Sequence, residues 1–446
     1  MGPSPTTYTE MTGYTQGIRQ NWRQFALQLL TVFAVGLTIG SERNVVPILG
    51  RDVLGVESVL VIGSFVVSFG FVKALLNLYG GKWAETYGRK PILVAGWVVA
   101  LPIPAILIFA PSWWWVTVGN VLLGVNQGLA WSMSVNAKID LAGSERRGFA
   151  VGLDEAFGYG GVAVGSWVTG VLAGQYGLRP APFVFLAGVV VLGLLVAVFF
   201  VEETLPYAKA EAETEAGAEA ETPGDGTDSG ANLPFSTVLK RATWGDKTLF
   251  AAAQAGSVEK FVDALVWIAY PLYLTSAGQS VVDVGVVVGV YGGVWGLLQL
   301  YTGKLADDIG RRPPVVAGMF VAGGGVLATT FVSGLVPWTI TAGITGFGMA
   351  LLYPNLITVV GDAAHPTWRA TGLGVYRMWR DAGYGFGAIL IGLAADLVSV
   401  QMAFYATAAA MFLSGSIAFV WMRETHPEFG DYHTSAGVAT EGVGDE

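Results

Sequence analysis

The sequence contains no cysteine, which removes disulfides, thiolate metal sites and cysteine nucleophiles from consideration. Charge is scarce as well: Asp, Glu, Lys and Arg make up 13% of 446 residues, against roughly a quarter in soluble proteins. Histidine is confined to His365, His426 and His433, all in segments that read as loop or tail, so no buried imidazole relay is available. The chain has neither a Gly-rich phosphate loop before Lys-Ser/Thr nor a Gly-x-Ser-x-Gly elbow. Enzymatic chemistry, a metal, a cofactor and a nucleic-acid partner are therefore not expected.

What the chain has in quantity is apolar residues, 53% of the total. They gather in stretches such as residues 91–110, 181–201 and 315–332, each long enough to cross about 30 Å of hydrocarbon. Gly is frequent inside these stretches, as at Gly158, Gly161, Gly165 and Gly170, where it lets membrane helices approach closely. The first apolar stretch is too long for a signal peptide and lacks a small-residue cleavage pattern, so it is expected to stay in the bilayer.

The expectation is an all-α membrane protein with twelve transmembrane helices, near residues 23–48, 57–79, 91–110, 114–137, 148–173, 181–201, 248–275, 282–302, 314–334, 337–360, 370–396 and 400–422. Residues 1–201 form one six-helix bundle and 247–423 a second, with a linker at 202–246 and a tail at 424–446. The linker is rich in Ala, Glu, Gly and Thr and nearly free of aromatics, a composition expected not to order itself. Much of the net charge of −9 resides there and in the tail. With the amino terminus placed in the cytoplasm, basic residues such as Arg23, Lys82, Arg89, Lys90, Arg146, Arg147, Lys304, Arg311 and Arg423 fall inside, and Arg51 and Arg179 outside. That asymmetry predicts a multi-pass protein of the cell membrane with both termini cytoplasmic.

The two bundles repeat. Gly81-Lys82-Trp83-Ala84-Glu85-Thr86-Tyr87-Gly88-Arg89-Lys90-Pro91 matches Gly303-Lys304-Leu305-Ala306-Asp307-Asp308-Ile309-Gly310-Arg311-Arg312-Pro313. Pro47 has an echo in Pro271, and Gly158-Tyr159 in Gly383-Tyr384. At the two loops the sequence resembles the major facilitator superfamily, whose Gly-x-x-x-Asp-x-x-Gly-Arg-Lys/Arg signature lies between helices 2 and 3 and again between 8 and 9. The resemblance implies two pseudo-symmetric six-helix bundles, usually working as a monomer. It implies gating roles for Gly81, Glu85, Gly88 and Arg89 and for Gly303, Asp307, Gly310 and Arg311. Glu85 departs from the usual Asp and changes the pairing geometry. Gly124 stands where proton-coupled members often carry Arg, and helix 5 lacks the Pro of drug antiporters.

Ionisable residues inside the predicted helices are Glu42, Arg43, Lys73, Asp154, Glu155, Glu259, Lys260, Asp263, Arg377, Arg380 and Asp381. Each costs a few kcal/mol if it faces lipid, so they are expected to line a substrate or proton pathway or to neutralise one another. On helix 7, Glu259, Asp263, Trp267 and Tyr270 share a stripe; on helix 11, Arg377, Arg380 or Asp381, and Tyr384 do the same. Two guanidinium groups on one face suit an acidic group on the solute. Glu259 and Asp263 rank first as proton carriers, ahead of Glu42, Asp154, Glu155 and Asp381. Asn126 and Gln127 are candidates for solute contact or for helix bridging.

The expected function is secondary active transport of a small organic solute by alternating access between two halves, proton-coupled, with export ahead of uptake. An uptake symporter or uniporter for an organic anion or sugar is the alternative. Two other classes stay open: a non-transporting membrane sensor that uses the acidic linker, and a retinal-type pigment that uses Lys260 or Lys73.

Overall fold

A computed structural model describes residues 14–143, 146–211, 233–364, 368–426 and 428–430, and among them regular structure is entirely helical. The first half contains α1 (Trp22–Arg43), α2 (Val46–Asp52), α3 (Val59–Tyr87), α4 (Arg89–Ala100), α5 (Ile103–Phe109), α6 (Trp113–Ala142), α7 (Arg147–Tyr176) and α8 (Ala181–Phe199). After a short α9 (Phe235–Lys240) come α10 (Lys247–Ser276), α11 (Val281–Ile309), α12 (Arg312–Thr329), α13 (Leu335–Ala363), α14 (Arg369–Leu397) and α15 (Val400–Trp421).

Two expected spans are broken rods. The first stops at Arg43 and restarts at Val46, with Pro47 in the opening turn of α2, where its missing N–H costs nothing. Asn44 fills the break by donating from Nδ2 to the Ser166 carbonyl at 2.9 Å. The third breaks between α4 and α5, where Pro104 takes the same early position. The linker expectation also needs correction, because Phe235–Lys240 is helical and a π turn over Arg241–Gly245 leads into α10. Thr243 there accepts a hydrogen bond from Trp379 Nε1 at 3.1 Å.

Eight spans among the described residues are long and apolar enough to cross a membrane on composition alone. The remaining long helices, α6, α10, α12 and α14, owe their lower apolarity to buried polar or charged groups, such as Gln127, Asp263 and Arg380, or to the Arg312-Pro313-Pro314 start of α12. Together the spans give the twelve-helix arrangement. Equivalent helices pack alike in the two halves: α1 on α7 and α10 on α14, α3 on α6 and α11 on α13.

The halves meet along two long seams, α7 with α11 and α3 with α14. Small residues set the distance. A Cβ on Gly170 would sit 3.1 Å from the Val281 carbonyl oxygen, and one on Gly285 3.0 Å from that of Ser166, so these backbones touch. The other seam includes Phe71 and Phe386, edge to face at 5.3 Å.

Candidate functional site

At mid-depth between the halves lies a small cavity, lined from both sides and continuous with open solvent. Arg43, Lys73 and Glu155 line it from the first half, and Arg377, Arg380, Asp381 and Tyr384 from the second. Glu259, Lys260 and Asp263 lie immediately behind, fully buried. The helix-11 stripe expected from spacing therefore faces the cavity as a set.

Ionic contacts knit the halves together here. Arg43 pairs with Asp263 at 2.5 Å, and its guanidinium lies 5.4 Å from the centre of the Trp267 ring. Asp263 also accepts hydrogen bonds from Tyr384 and, at 3.4 Å, from Tyr291. Lys260 pairs with Glu259 at 3.1 Å, donates to the Tyr159 hydroxyl at 3.2 Å and sits 4.5 Å from the centre of the Trp295 ring. Asp381 accepts from Asn77 at 2.5 Å and pairs with Lys73 at 3.5 Å and Arg380 at 3.3 Å. Arg380 lies 3.9 Å from Glu259 and stacks over Tyr353. Each of these charges thus gains a partner for its removal from water.

Other candidates lie elsewhere. Asp154 pairs with Lys138 at 2.7 Å inside the first half. Asn126 donates to the Gly96 carbonyl, and Gln127 to Val35 and Thr38, so both bridge helices rather than line the cavity. Tyr270, on the expected helix-7 stripe, instead bonds Thr329 within its own half. Glu42 is buried beside the Asn120 amide and forms no ion pair among the described residues. Glu155 accepts from Trp131 Nε1 at 3.2 Å but has no cation within 4 Å among those residues. Sequence reasoning assigned no role to Tyr159, Trp131 or Tyr291; Tyr159 was visible as part of the Gly-Tyr echo.

The cavity is closed toward one face. There Asp396 of the second half accepts hydrogen bonds from Ser58 Oγ at 2.5 Å, Val59 N at 2.7 Å and Leu60 N at 3.1 Å, capping α3 of the first half. Beside it, Arg51 donates to Thr275 at 3.1 Å and Ser276 at 3.3 Å. Toward the opposite face, which carries the repeated loops, the seam loosens. A Cβ on Gly374 would meet nothing within 4 Å, whereas one on Gly392, at the closed end of the same helix, would strike Leu60.

At the repeated loops Gly88 and Gly310 adopt φ of +97° and +91°, open to Gly but strained for other residues. The ion pairs differ from expectation: Arg89 turns to Asp140 at 3.0 Å rather than to Glu85, which is exposed. Thr204 also donates to Asp140, at 2.8 Å, and Glu203 accepts from the amides of Arg89 and Lys90 at 2.8 and 3.1 Å. The second half repeats the clasp, with Asp362 at 3.5 Å from Arg311 and Glu424 accepting from the amides of Arg311 and Arg312 at 2.8 and 3.0 Å. There Arg311 also pairs with Asp307. Among the described residues these contacts stay within each half. Gly303 lies in α11; Gly81 lies in α3, and its surroundings fall outside the described residues. Asp140, Asp362, Glu203 and Glu424 went unrecognised, although Asp140 and Asp362 share the 222-residue offset of the two loops.

Known proteins agree with this architecture. The chain is 24% identical over 434 residues to the uncharacterised MFS-type transporter YhhS of Escherichia coli K12, covering 92% of this chain and 95% of that one. It is 25% identical to the class E tetracycline resistance protein of Escherichia coli, covering 68% of this chain and 71% of that protein. The crystal structure of a D-xylose-proton symporter superposes with a TM-score of 0.71 at 14% identity, covering 91% and 98% of the two chains. The model of the Major Facilitator Superfamily matches residues 29–258 and again 255–434, so duplicated loops, paired bundles and central cavity have one explanation: the chain belongs to that superfamily of membrane transporters.

Proposed function

We propose that the protein moves a small organic solute by alternating access, driven by the proton gradient, with export as its working direction. The observation that carries this reading is the charged cavity between two halves, latched at one face by Asp396 and Arg51 and loosened at the other. Charges in lipid-spanning helices are costly unless paired or used, and here they concentrate at the one place where two rigid bundles can rock. The distribution of Lys and Arg favours placing the loop face in the cytoplasm, which makes this conformation inward-facing. Likeness to a tetracycline resistance protein fits a chain that lowers the amount of a solute inside the cell.

In this reading Glu85, Arg89, Asp307 and Arg311 act when the loop face closes, with Gly81, Gly88, Gly303 and Gly310 shaping the turns. Glu259 and Asp263 are committed to ion pairs with Lys260 and Arg43, so the proton-carrying role is assigned to the buried acids that form no ion pair within 4 Å among the described residues, Glu155 on the cavity wall first and Glu42 second.

Flux in proteoliposomes with an imposed pH gradient, an internal pH dye and a panel of organic acids, sugars and cationic drugs tests this. Solute-dependent proton movement opposite to the solute, slowed in Glu155→Gln, is the expected result. Solute flux without proton movement would make the protein a uniporter, and no flux would favour a sensor.

A further inference from the structure

We propose that the solute is a small organic anion with an apolar or aromatic body, and that its acidic group docks on Arg377; this rests on the transporter reading above. The charges around the cavity do not cancel among the described residues. Arg43 has Asp263, Lys260 has Glu259, and Asp381 is shared by Lys73 and Arg380. Arg377 lines the same cavity one turn nearer the loosened end and, among the described residues, forms no ion pair with a carboxylate within 4 Å.

A guanidinium does not shed its proton, so this charge persists in every state of the cycle. With the loop side loosened, water solvates it; space beside neighbouring Gly374 is empty to at least 4 Å from a Cβ. When the halves close over the cavity that water leaves, and an unpartnered guanidinium would be sealed in a medium where isolated charge is strongly disfavoured. A carboxylate or similar anion on the solute supplies the missing partner through two parallel hydrogen bonds. Closure then favours the loaded carrier over the empty one, which solute exchange requires. Asp154 and Glu155 are the competing acids, but Lys138 already pairs with the first at 2.7 Å and Trp131 holds the second. Ile39, Val135 and the Trp131 ring, also in the lining, give apolar surface to the body of such an anion.

The test uses benzoate, benzamide and benzylamine, which differ little in shape and carry negative, zero and positive charge. Calorimetric titration of the full-length protein in detergent is expected to show binding of benzoate, with the other two weaker by roughly tenfold or more, the scale of a charge-assisted pair. Arg377→Gln should weaken benzoate by a similar factor without changing the melting temperature much, Arg377→Lys should recover part of it, and Glu155→Gln, which removes a negative charge from the same lining, should tighten it. Equal or better binding of benzamide or benzylamine, or failure of benzoate to bind, would overturn the anion assignment. So would an equal loss in Arg377→Gln and Glu155→Gln, which would pair those residues with each other. Counterflow of any of the probes by proteoliposomes separates the questions: flux of a neutral or cationic probe keeps the transporter and removes the anion.

Discussion

The ionic contacts at the loop face and those at mid-depth follow different rules. At the loop face, Arg89 with Asp140 and Glu203 is repeated by Arg311 with Asp362 and Glu424, and both clasps stay inside their own half. At mid-depth nothing repeats: Arg43 and Lys73 come from the first half, Glu259, Lys260 and Asp263 from the second, and the shortest pair there crosses between them. A contact present in both copies serves what both copies need, the joining of each bundle's helices. A contact present once serves something only the assembled pair does.

The largest effect should come from breaking the crossing pair. Asp263→Asn leaves Arg43 buried without its partner, so thermal unfolding in detergent should show a loss of about 3–5 kcal/mol, and flux should be abolished. Exchanging the charges, Arg43→Asp with Asp263→Arg, should recover part of the stability if the pair rather than either residue matters. Next, Gly285→Leu places a side chain where the backbones of α7 and α11 touch. It should force the closed face apart, and a cysteine at Val53 in this otherwise cysteine-free chain should react faster with an impermeant maleimide.

A smaller shift is expected from Asp396→Ala, which removes the cap that one half provides to α3 of the other. Loss of a helix cap costs about 1 kcal/mol, so the face should open more often without unfolding, again read as faster labelling at Val53. Glu203→Gln and Glu424→Gln should each lower the melting temperature slightly and to the same degree while flux continues, because the clasps are equivalent. Unequal effects would mean that the apparent symmetry hides a role for one of them. Asn126→Ala, which removes a donor to the Gly96 carbonyl and an acceptor for Gln127 Nε2, should leave flux unchanged.

The spans and the repeated loops were legible because each is written locally: an apolar stretch of fixed length, or a turn that needs Gly at positive φ. Helix-11 spacing likewise placed Arg377, Arg380, Asp381 and Tyr384 on one face, and the fold turns that face to the cavity. The same logic misled on helix 7. From Val262 to Leu272 every residue of α10 is buried, so the helix has no single inner face, and Tyr270 found Thr329 while Trp267 met Phe65 and Phe69 of the other half. Spacing states which residues share a stripe, not which neighbour the stripe meets. Asn126 and Gln127 illustrate the same limit, since an amide that suits a solute suits a carbonyl of the next helix equally well. Arg43 with Asp263 and Asp396 on α3 were illegible for that reason, because each joins segments brought together only by docking of the halves.

The most direct measurement is a pair of distances in the working protein, one between spin labels at Val53 and Gln279 on the closed face and one between labels at Tyr87 and Ile309 on the loop face. Alternating access predicts two populations whose distances move oppositely, with the loop-face distance shortening as the other lengthens, and a ratio that changes with pH and with solute. A single unchanging pair of distances under all conditions, in protein that still sustains flux, would contradict it.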